Sequence, residues 1–193
     1  RRGVMKGGEP VVILGSGTIG LTAVVAAKQL GAGKIFVTAR HKQQASMALA
    51  LGADYACDPN DPQFNDLILD HTGGRGADMT VETVGGSSGA TLLQSIECTR
   101  TQGRIVILGG FRRPLEFDWL KPLLKEQSII FSSCYGVIDG YHDYETAIDI
   151  LSDGINSLVE IVTHKYPLSD IQEAFVCAYD KSTGSIKVQI HQR

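Results

Sequence analysis

Three glycines follow a short apolar run of residues, and their spacing is suited to holding phosphate groups. Gly15, Gly17 and Gly20 come directly after residues 11–14 and lead into a helix-forming segment at residues 21–30. We expect Gly15 to allow a tight turn, Gly17 to leave room for a pyrophosphate, and Gly20 to let the helix pack close to the strand. The N-terminus of a helix adds free N–H groups and a partial positive charge, which both favour phosphate. The pattern therefore predicts a bound dinucleotide, although some methyltransferases and phosphate-binding loops share the bare glycine spacing.

The residues that follow the second strand-like segment, residues 34–38, are basic rather than acidic. A site for NAD usually places Asp or Glu about twenty residues past the glycine turn, where it binds the ribose 2′-OH. Here Ala39 is followed by Arg40, and Lys42 comes two residues later. A guanidinium attracts a 2′-phosphate and can bond it bidentately, whereas a carboxylate would repel it. We therefore predict NADP(H) rather than NAD(H), bound with the help of Thr38, Ala39, Arg40 and Lys42. The alternative is a solvated basic helix start, which the helix dipole disfavours.

Strand-like and helix-like segments alternate along the chain. The strand-like segments are residues 11–14, 34–38, 52–57, 77–83, 103–108 and 128–133. The helix-like segments are residues 21–30, 43–51, 64–72, 90–98 and 141–151, and Asp153 and Gly154 end the last one. This alternation predicts an α/β fold with a doubly wound, parallel, six-stranded sheet.

Ligands of such sheets lie outside the carboxyl ends of the strands. Gly85 and Gly109 follow the fourth and fifth strand-like segments, so they could let the backbone approach a cofactor without an intervening side chain. Taken singly, each glycine has the alternative role of making a tight turn from strand to helix.

Composition excludes several classes of partner. The chain has 193 residues and a net charge of −3, so it has no general attraction for nucleic acid or anionic membranes. No apolar run is long enough to span a bilayer. The four cysteines lie far apart and none forms a C-x-x-C pair, so we expect no metal site in this chain. Free thiols are typical of a reducing compartment, which points to a cytoplasmic location.

Five segments together carry a family resemblance. They are residues 15–20, 51–54, 81–85, 103–109 and 166–175, the last reading Tyr-Pro-Leu-Ser-Asp-Ile-Gln-Glu-Ala-Phe. On these segments the chain resembles the cofactor-binding portion of the medium-chain dehydrogenase/reductase family, and within it the zinc-type alcohol, sorbitol and threonine dehydrogenases. The resemblance implies a Rossmann domain over residues 8–154 that binds NADP(H). It also implies that residues 155–193 are one piece of a split catalytic domain.

The resemblance extends to individual cofactor contacts. The glycine turn matches the pyrophosphate site, which here consists of Gly15, Ser16, Gly17, Thr18, Ile19 and Gly20. The positions that match nicotinamide contacts are Leu108, Gly109, Gly110, Ser133 and Tyr135. Val84 and Gly85 match the backbone beside the adenosine ribose. Lys187 matches a basic residue near the pyrophosphate, with a plain surface lysine as the alternative. Glu82 is expected to support its turn through hydrogen bonds rather than to catalyse a reaction.

One departure from the family limits what this chain can do. Relatives begin with a catalytic domain that supplies the zinc ligands, and these 193 residues contain no counterpart of it. We therefore expect zinc only in that missing domain, and no catalytic residue or metal ligand in this chain. The full-length enzyme would transfer hydride between NADP(H) and an alcohol or carbonyl substrate. This chain is expected to bind the cofactor without turning over an alcohol.

Two further expectations concern assembly. Relatives often pair through the sheet edge near the sixth strand, which implies a homo-dimer or homo-tetramer. The C-terminal segment should expose apolar residues such as Ile171, Phe175 and Val176, because they would face the absent domain.

Three other functions remain open at the level of sequence. The chain could be the cofactor domain of a zinc-free quinone or enoyl reductase of the same superfamily. It could also be a non-catalytic redox sensor that binds NADP(H). A methyltransferase fits less well, because a basic residue after the second strand does not suit the ribose diol of its cofactor.

Overall fold

Six parallel strands form one sheet in the computed structural model, which describes residues 1–152 and 156–192. The strands are β1 (Val11–Leu14), β2 (Ile35–Thr38), β3 (Tyr55–Cys57), β4 (Ala77–Glu82), β5 (Thr99–Ile107) and β6 (Ser128–Phe131). Their order across the sheet is β3-β2-β1-β4-β5-β6, and every neighbouring pair is parallel. The order reverses between β1 and β4, and in this class of fold the ligand lies at such a point. The predicted doubly wound six-stranded sheet is therefore confirmed.

Helices cover both faces of the sheet. They are α1 (Thr18–Gln29), α2 (Lys42–Ala50), α3 (Phe64–His71), α4 (Ala90–Cys98), α5 (Leu120–Leu124) and α6 (Asp143–Ser152). Val11 and Ile13 of β1 pack in one core cluster with Leu21 of α1, whereas Val12 packs on the opposite side with Phe64 of α3. Both faces of β1 are therefore buried, as expected for a central strand of a parallel sheet. Among the described residues, no helix combines the length and apolar character needed to cross a membrane.

The C-terminal part adds a small β-α-β unit. Strands β9 (Val162–Pro167) and β10 (Lys187–His191) are parallel, and α7 (Ile171–Tyr179) connects them. Ile161 and Ile186 lie in the same core cluster as β1, so this unit shares the core of the large sheet.

Several element boundaries differ from the sequence prediction. Helix α1 begins at Thr18 rather than at residue 21, because Gly17 is its N-cap and the N–H of Leu21 already donates to the carbonyl of Gly17 at 2.9 Å. Strand β5 begins at Thr99 rather than at residue 103, because Thr99 already pairs with Ala77 before the register between the strands shifts.

The region after β5 contains elements that the sequence did not predict. Strand β6 ends at Phe131, two residues earlier than expected. A short hairpin follows, with β7 (Val137–Ile138) paired antiparallel to β8 (Tyr141–His142), so α6 begins only at Asp143. The predicted end of this helix at Asp153 and Gly154, like the predicted domain boundary after residue 154, lies outside the described residues.

Candidate functional site

The glycine turn connects β1 to α1 at the carboxyl edge of the sheet. Gly15 has a φ of 99°, which L-residues with a side chain rarely adopt. A Cβ on Gly20 would overlap the carbonyl oxygen of Gly15, so only glycine lets α1 approach the turn this closely. A Cβ on Gly17 would meet no atom within 4 Å. The packing roles predicted for Gly15 and Gly20 are confirmed. The open space beside Gly17 is compatible with its predicted role in binding the pyrophosphate, which stays a prediction.

Side chains from β2, from α2 and from the turn after β4 fix the shape of this turn. The N–H of Gly15 donates to Thr38 Oγ1 at 2.8 Å, and Thr83 Oγ1 donates to the carbonyl of Leu14 at 2.8 Å. Ser16 is buried, with its hydroxyl 3.4 Å from Oε1 of Gln44. Thr38 and Ser16, both predicted to touch the cofactor, thus also organise the turn from inside the protein. Thr83 and Gln44 were not predicted, because their partners are distant in sequence.

The start of α1 offers unpaired N–H groups. No side chain caps this helix, and its first turn contains no acidic residue. Thr18 and Ile19 follow the N-cap directly, so their N–H groups lie among those that an α-helix leaves without an internal partner. This arrangement suits an anion, whose charge the helix dipole also favours.

Positive charge is concentrated where β2 ends. Ala39 is buried, and its N–H donates to the carbonyl of Cys57 at 2.8 Å. Arg40 and Lys42, in contrast, are exposed. No ion pair among the described residues includes either of them. Both side chains are therefore available to an anionic ligand.

The turns after β4 and β5 pack directly against each other. Glu82 is fully buried, and its Oε1 accepts hydrogen bonds from the N–H groups of Val84 at 2.9 Å and Gly85 at 2.8 Å. Its backbone carbonyl accepts from the N–H groups of Leu108 at 2.8 Å and Gly109 at 3.1 Å. Glu82 therefore supports its own turn, as the sequence predicted, and its backbone carbonyl also ties that turn to the one after β5.

This packing explains why two of these positions must be glycine. A Cβ on Gly85 would come within 2.5 Å of Gly110, and a Cβ on Gly109 would overlap the Glu82 carboxylate. Gly85 and Gly109 are thus required by the contact between the two turns, rather than only by the approach of a cofactor. By contrast, a Cβ on Gly86 or Gly110 would meet no atom within 4 Å. These two glycines border open space at the carboxyl ends of β4 and β5.

The remaining predicted contacts lie farther from the turn. Ser133 and Tyr135 are exposed in the loop after β6, and the Tyr135 ring stacks on Tyr144 of α6 with ring centroids 5.4 Å apart. Lys187 is exposed at the start of β10, next to the buried Ile186. The parallel strand order therefore brings every predicted cofactor contact except Lys187 to the carboxyl ends of the strands of the large sheet.

Two cavities adjoin these elements. One of about 450 Å³ lies against the sheet face that α1 and α6 cover, and most of its walls are apolar, including Val25, Met79 and Val106. The other, of about 610 Å³, lies at the ends of β4 and β5. Its walls include Ser87, Phe111, Arg112 and Arg113, none of which was predicted from the sequence to be a site residue.

The residues fit a nicotinamide dinucleotide better than a metal ion. The open space beside Gly17, the uncapped start of α1 and the exposed Arg40 match the needs of its phosphates. Within residues 1–152 and 156–192, no group of three or more His, Cys, Asp or Glu side chains could hold a metal ion. The described residues therefore do not fit a zinc ion, and we assign no chemical step to one.

Known proteins provide an independent comparison. Residues 18–153 match the family model described as zinc-binding dehydrogenase. A sorbitol dehydrogenase from Halalkalibacterium halodurans is 32% identical over 184 residues, which cover 94% of this chain and 51% of that protein. An L-threonine 3-dehydrogenase from Pyrococcus furiosus is 30% identical over 185 residues, covering 93% of this chain and 51% of the relative. The chain thus spans about half the length of these curated relatives.

Solved structures are also similar to this fold. An alcohol dehydrogenase from Thermus sp. ATN1 superimposes with a TM-score of 0.82 at 26% sequence identity. The match covers 96% of this chain and 52% of the solved one.

Proposed function

The chain belongs to the zinc-binding dehydrogenase family, and on that basis we propose that it is the cofactor-binding domain of an alcohol or polyol dehydrogenase. The whole enzyme would transfer hydride between a nicotinamide dinucleotide and an alcohol or carbonyl compound. The observation that carries this proposal is the glycine turn, with open space beside Gly17 at the uncapped start of α1.

When it is bound, the nicotinamide ring supplies the hydride acceptor or donor of the reaction. The residues of this chain bind and orient it. Residues 15–20 would hold the pyrophosphate, with N–H groups at the start of α1. Val84 and Gly85 would lie beside the adenosine ribose, and residues 108–110 beside the nicotinamide, with Ser133 and Tyr135 as a second contact and Lys187 near the pyrophosphate.

We further propose a preference for NADP(H) over NAD(H). Arg40 is exposed where β2 ends, and Ala39 stands where an acidic residue would bind the ribose 2′-OH. A guanidinium bonds phosphate with up to two parallel hydrogen bonds, and Lys42 adds a second positive charge nearby.

The proposed assembly is a homo-dimer or homo-tetramer. Strand β6 is an edge of the large sheet, and Phe131 on it is 77% exposed. An unpaired strand edge with exposed apolar side chains favours pairing with another chain. We also propose a cytoplasmic location, which the four free cysteines support.

Comparative thermal unfolding tests the proposed function and the cofactor preference together. A ligand that binds only the folded state stabilises it by about 2.7 kcal/mol at a hundredfold excess over its Kd. We expect NADPH to raise the Tm of the 193-residue chain more than NADH does at equal concentration. Equal shifts would contradict the preference, and no shift with either cofactor would contradict the function. We expect no oxidation of sorbitol or ethanol by this chain in the presence of NADP⁺.

A further inference from the structure

The cavity at the ends of β4 and β5 carries a net positive charge. Its lining residues are Val84, Gly86, Ser87, Gly110, Phe111, Arg112 and Arg113. The two arginines are its only ionisable groups, whereas the whole chain has a net charge of −3. The guanidinium group of arginine carries a positive charge. The cavity therefore has an electrostatic character opposite to that of the protein as a whole.

Neither guanidinium is neutralised by a neighbour. No ion pair among the described residues includes Arg112 or Arg113, although Glu116 and Asp118 follow closely in sequence. Arginine is the side chain best suited to bidentate recognition of carboxylate and phosphate. Two unpaired guanidinium groups at the mouth of one cavity are thus suited to an anion.

The backbone around the two arginines is held in place. Gly86 and Phe111 form a parallel β-bridge, and the N–H of Arg112 donates to the carbonyl of Gly86 at 2.9 Å. The next apolar side chain along the loop, Leu115, packs on the core cluster below, as Phe111 does. The loop is therefore anchored on both sides of the arginines, which lowers the entropic cost of placing them around a ligand.

The position of the cavity separates it from the predicted site of the 2′-phosphate. Arg40, the predicted partner of the 2′-phosphate, follows β2, and the glycine turn follows β1. Because neighbouring strands lie about 4.8 Å apart, the ends of β4 and β5 lie roughly 10–15 Å from the end of β2. The cavity instead borders Gly110, in the segment predicted to meet the nicotinamide. Its wall also includes Val84, which is predicted to lie beside the adenosine ribose, so an anion held here would lie along the cofactor between that ribose and the nicotinamide.

We propose that Arg112 and Arg113 bind an anionic group, carboxylate or phosphate, of the substrate alcohol or carbonyl compound. This inference rests on the proposed function, since it places a substrate beside the nicotinamide. The open space at Gly86 and Gly110 admits the ligand to the backbone, and Ser87 adds a hydroxyl group to the same wall. The specificity of the enzyme would then include negatively charged substrates.

Nuclear magnetic resonance titrations of the full 193-residue chain with three related probes test this site. Glycerol is neutral, glycerate carries a carboxylate and glycerol 3-phosphate carries a phosphate. With NADPH present, we expect the charged probes to shift the amide signals of Ser87 and Arg112, and glycerol to leave them unchanged. The charged probe that binds more tightly identifies the anionic group as carboxylate or phosphate. An equal response to all three probes, or no response to any, would overturn the inference.

Variants that remove the two arginine charges provide a second test of this site. The double variant R112Q/R113Q should weaken binding of the preferred anion by about 10-fold or more, since hydrogen bonds to charged groups are lost. The matched control is Arg75→Gln, an exposed arginine in the loop before β4, at the opposite edge of the sheet. An unchanged affinity in the double variant would overturn the inference.

The same samples separate this inference from the proposed function. A shift of the amide signals of residues 15–20 on adding NADPH tests cofactor binding alone. If NADPH binds and the anions do not, only the substrate site is wrong. If NADPH does not bind, the proposed function is wrong, and the inference resting on it is overturned with it. Weaker NADPH binding by the double variant would assign the arginines to the cofactor, which also overturns the inference.

Discussion

The buried carboxylate of Glu82 accepts a hydrogen bond from the backbone N–H of Gly85, with an oxygen–nitrogen distance of 2.8 Å. The same oxygen accepts from the N–H of Val84, while the other carboxylate oxygen lies beneath Gly109 without a hydrogen-bond partner among the described residues. Glu82 therefore joins the turns after β4 and β5, two strands that are adjacent in the sheet: its side chain binds the first turn and its backbone carbonyl binds the second. A ligand that contacts these two turns therefore depends on that junction.

Replacing Glu82 should destabilise the fold. In Glu82→Ala two N–H groups lose their acceptor, and each unsatisfied buried donor costs about 1–3 kcal/mol. Glu82→Gln keeps an acceptor oxygen of similar shape and should lose less. Urea denaturation measures both, with Glu116→Ala as the control at an exposed carboxylate. A Glu82→Ala protein with the denaturation midpoint of the parent would contradict this role.

Two glycines of the same turn should respond differently to alanine. Gly20→Ala places a methyl group against the carbonyl of Gly15, and such overpacking costs about 1–3 kcal/mol. Gly17→Ala meets no atom within 4 Å and its φ of −72° is allowed for alanine, so the fold should keep its stability. The methyl group would, however, occupy space that the pyrophosphate needs. We expect Gly17→Ala to raise the Kd for NADPH by about 10-fold or more.

Calorimetric titration and urea denaturation of the two variants check this contrast. Loss of stability in Gly17→Ala would show that this glycine serves the fold. Unchanged affinity for NADPH would contradict its predicted role in binding the pyrophosphate.

The central elements could be predicted because their sequence patterns are local. Residues 11–14 form a continuous apolar run, which is typical of a strand buried on both faces, and all four are fully buried. The glycine turn is equally local, since Gly15 and Gly20 act on each other within one turn of chain. The role of Glu82 could also be predicted, because its partners are the next residues along the chain.

The contacts between distant segments could not be predicted in this way. Gly85 and Gly109 belong to separate turns, and only the pairing of β4 with β5 brings them together. No sequence pattern around Arg112 and Arg113 indicates a binding site. Only the bridge between Gly86 and Phe111 places the two arginines in one cavity with Ser87. Helix α5 and the β7–β8 hairpin are too short to show a periodic pattern.

Removing the Arg40 side chain should weaken the binding of NADPH but not that of NADH. Arg40→Ala loses a charged hydrogen-bonding partner of the 2′-phosphate, which corresponds to about 1.5–3 kcal/mol, or roughly 10- to 150-fold in Kd for NADPH. NADH has no 2′-phosphate, so its Kd should stay within about twofold. Fluorescence titration of both reduced cofactors measures the two constants, with Arg75→Ala as the control. Equal losses for NADPH and NADH would mean that Arg40 acts on the fold.

The ion pair of Asp54 should make stability depend on pH. Burial opposes ionisation of this carboxyl, but hydrogen bonds from the Lys34 ammonium at 2.8 Å and the Ile35 N–H at 2.9 Å outweigh it. They hold the pKa of Asp54 below its usual value. A lowered folded-state pKa stabilises the protein above the unfolded value of about 3.9, and this contribution is lost as the pH falls through the folded value. Asp54→Asn should therefore lower the Tm at pH 7 but have little effect near pH 2.

Thermal unfolding at the two pH values, with the exposed Asp118→Asn as the control, measures this dependence. An equal loss of Tm at both pH values would mean that packing, rather than the charge of Asp54, is responsible.

The four free cysteines should differ strongly in reactivity. Burial raises the pKa of the Cys98 thiol to about 12, so at pH 8 only about one molecule in ten thousand carries the reactive thiolate. Cys134 is exposed in the loop after β6 and should react first with a disulfide reagent. Cys134→Ser should abolish the fast phase, whereas Cys98→Ser should leave it unchanged. In guanidinium chloride all four thiols should react at similar rates, because unfolding removes the burial that protects Cys98. A fast phase that survives in Cys134→Ser would contradict this assignment.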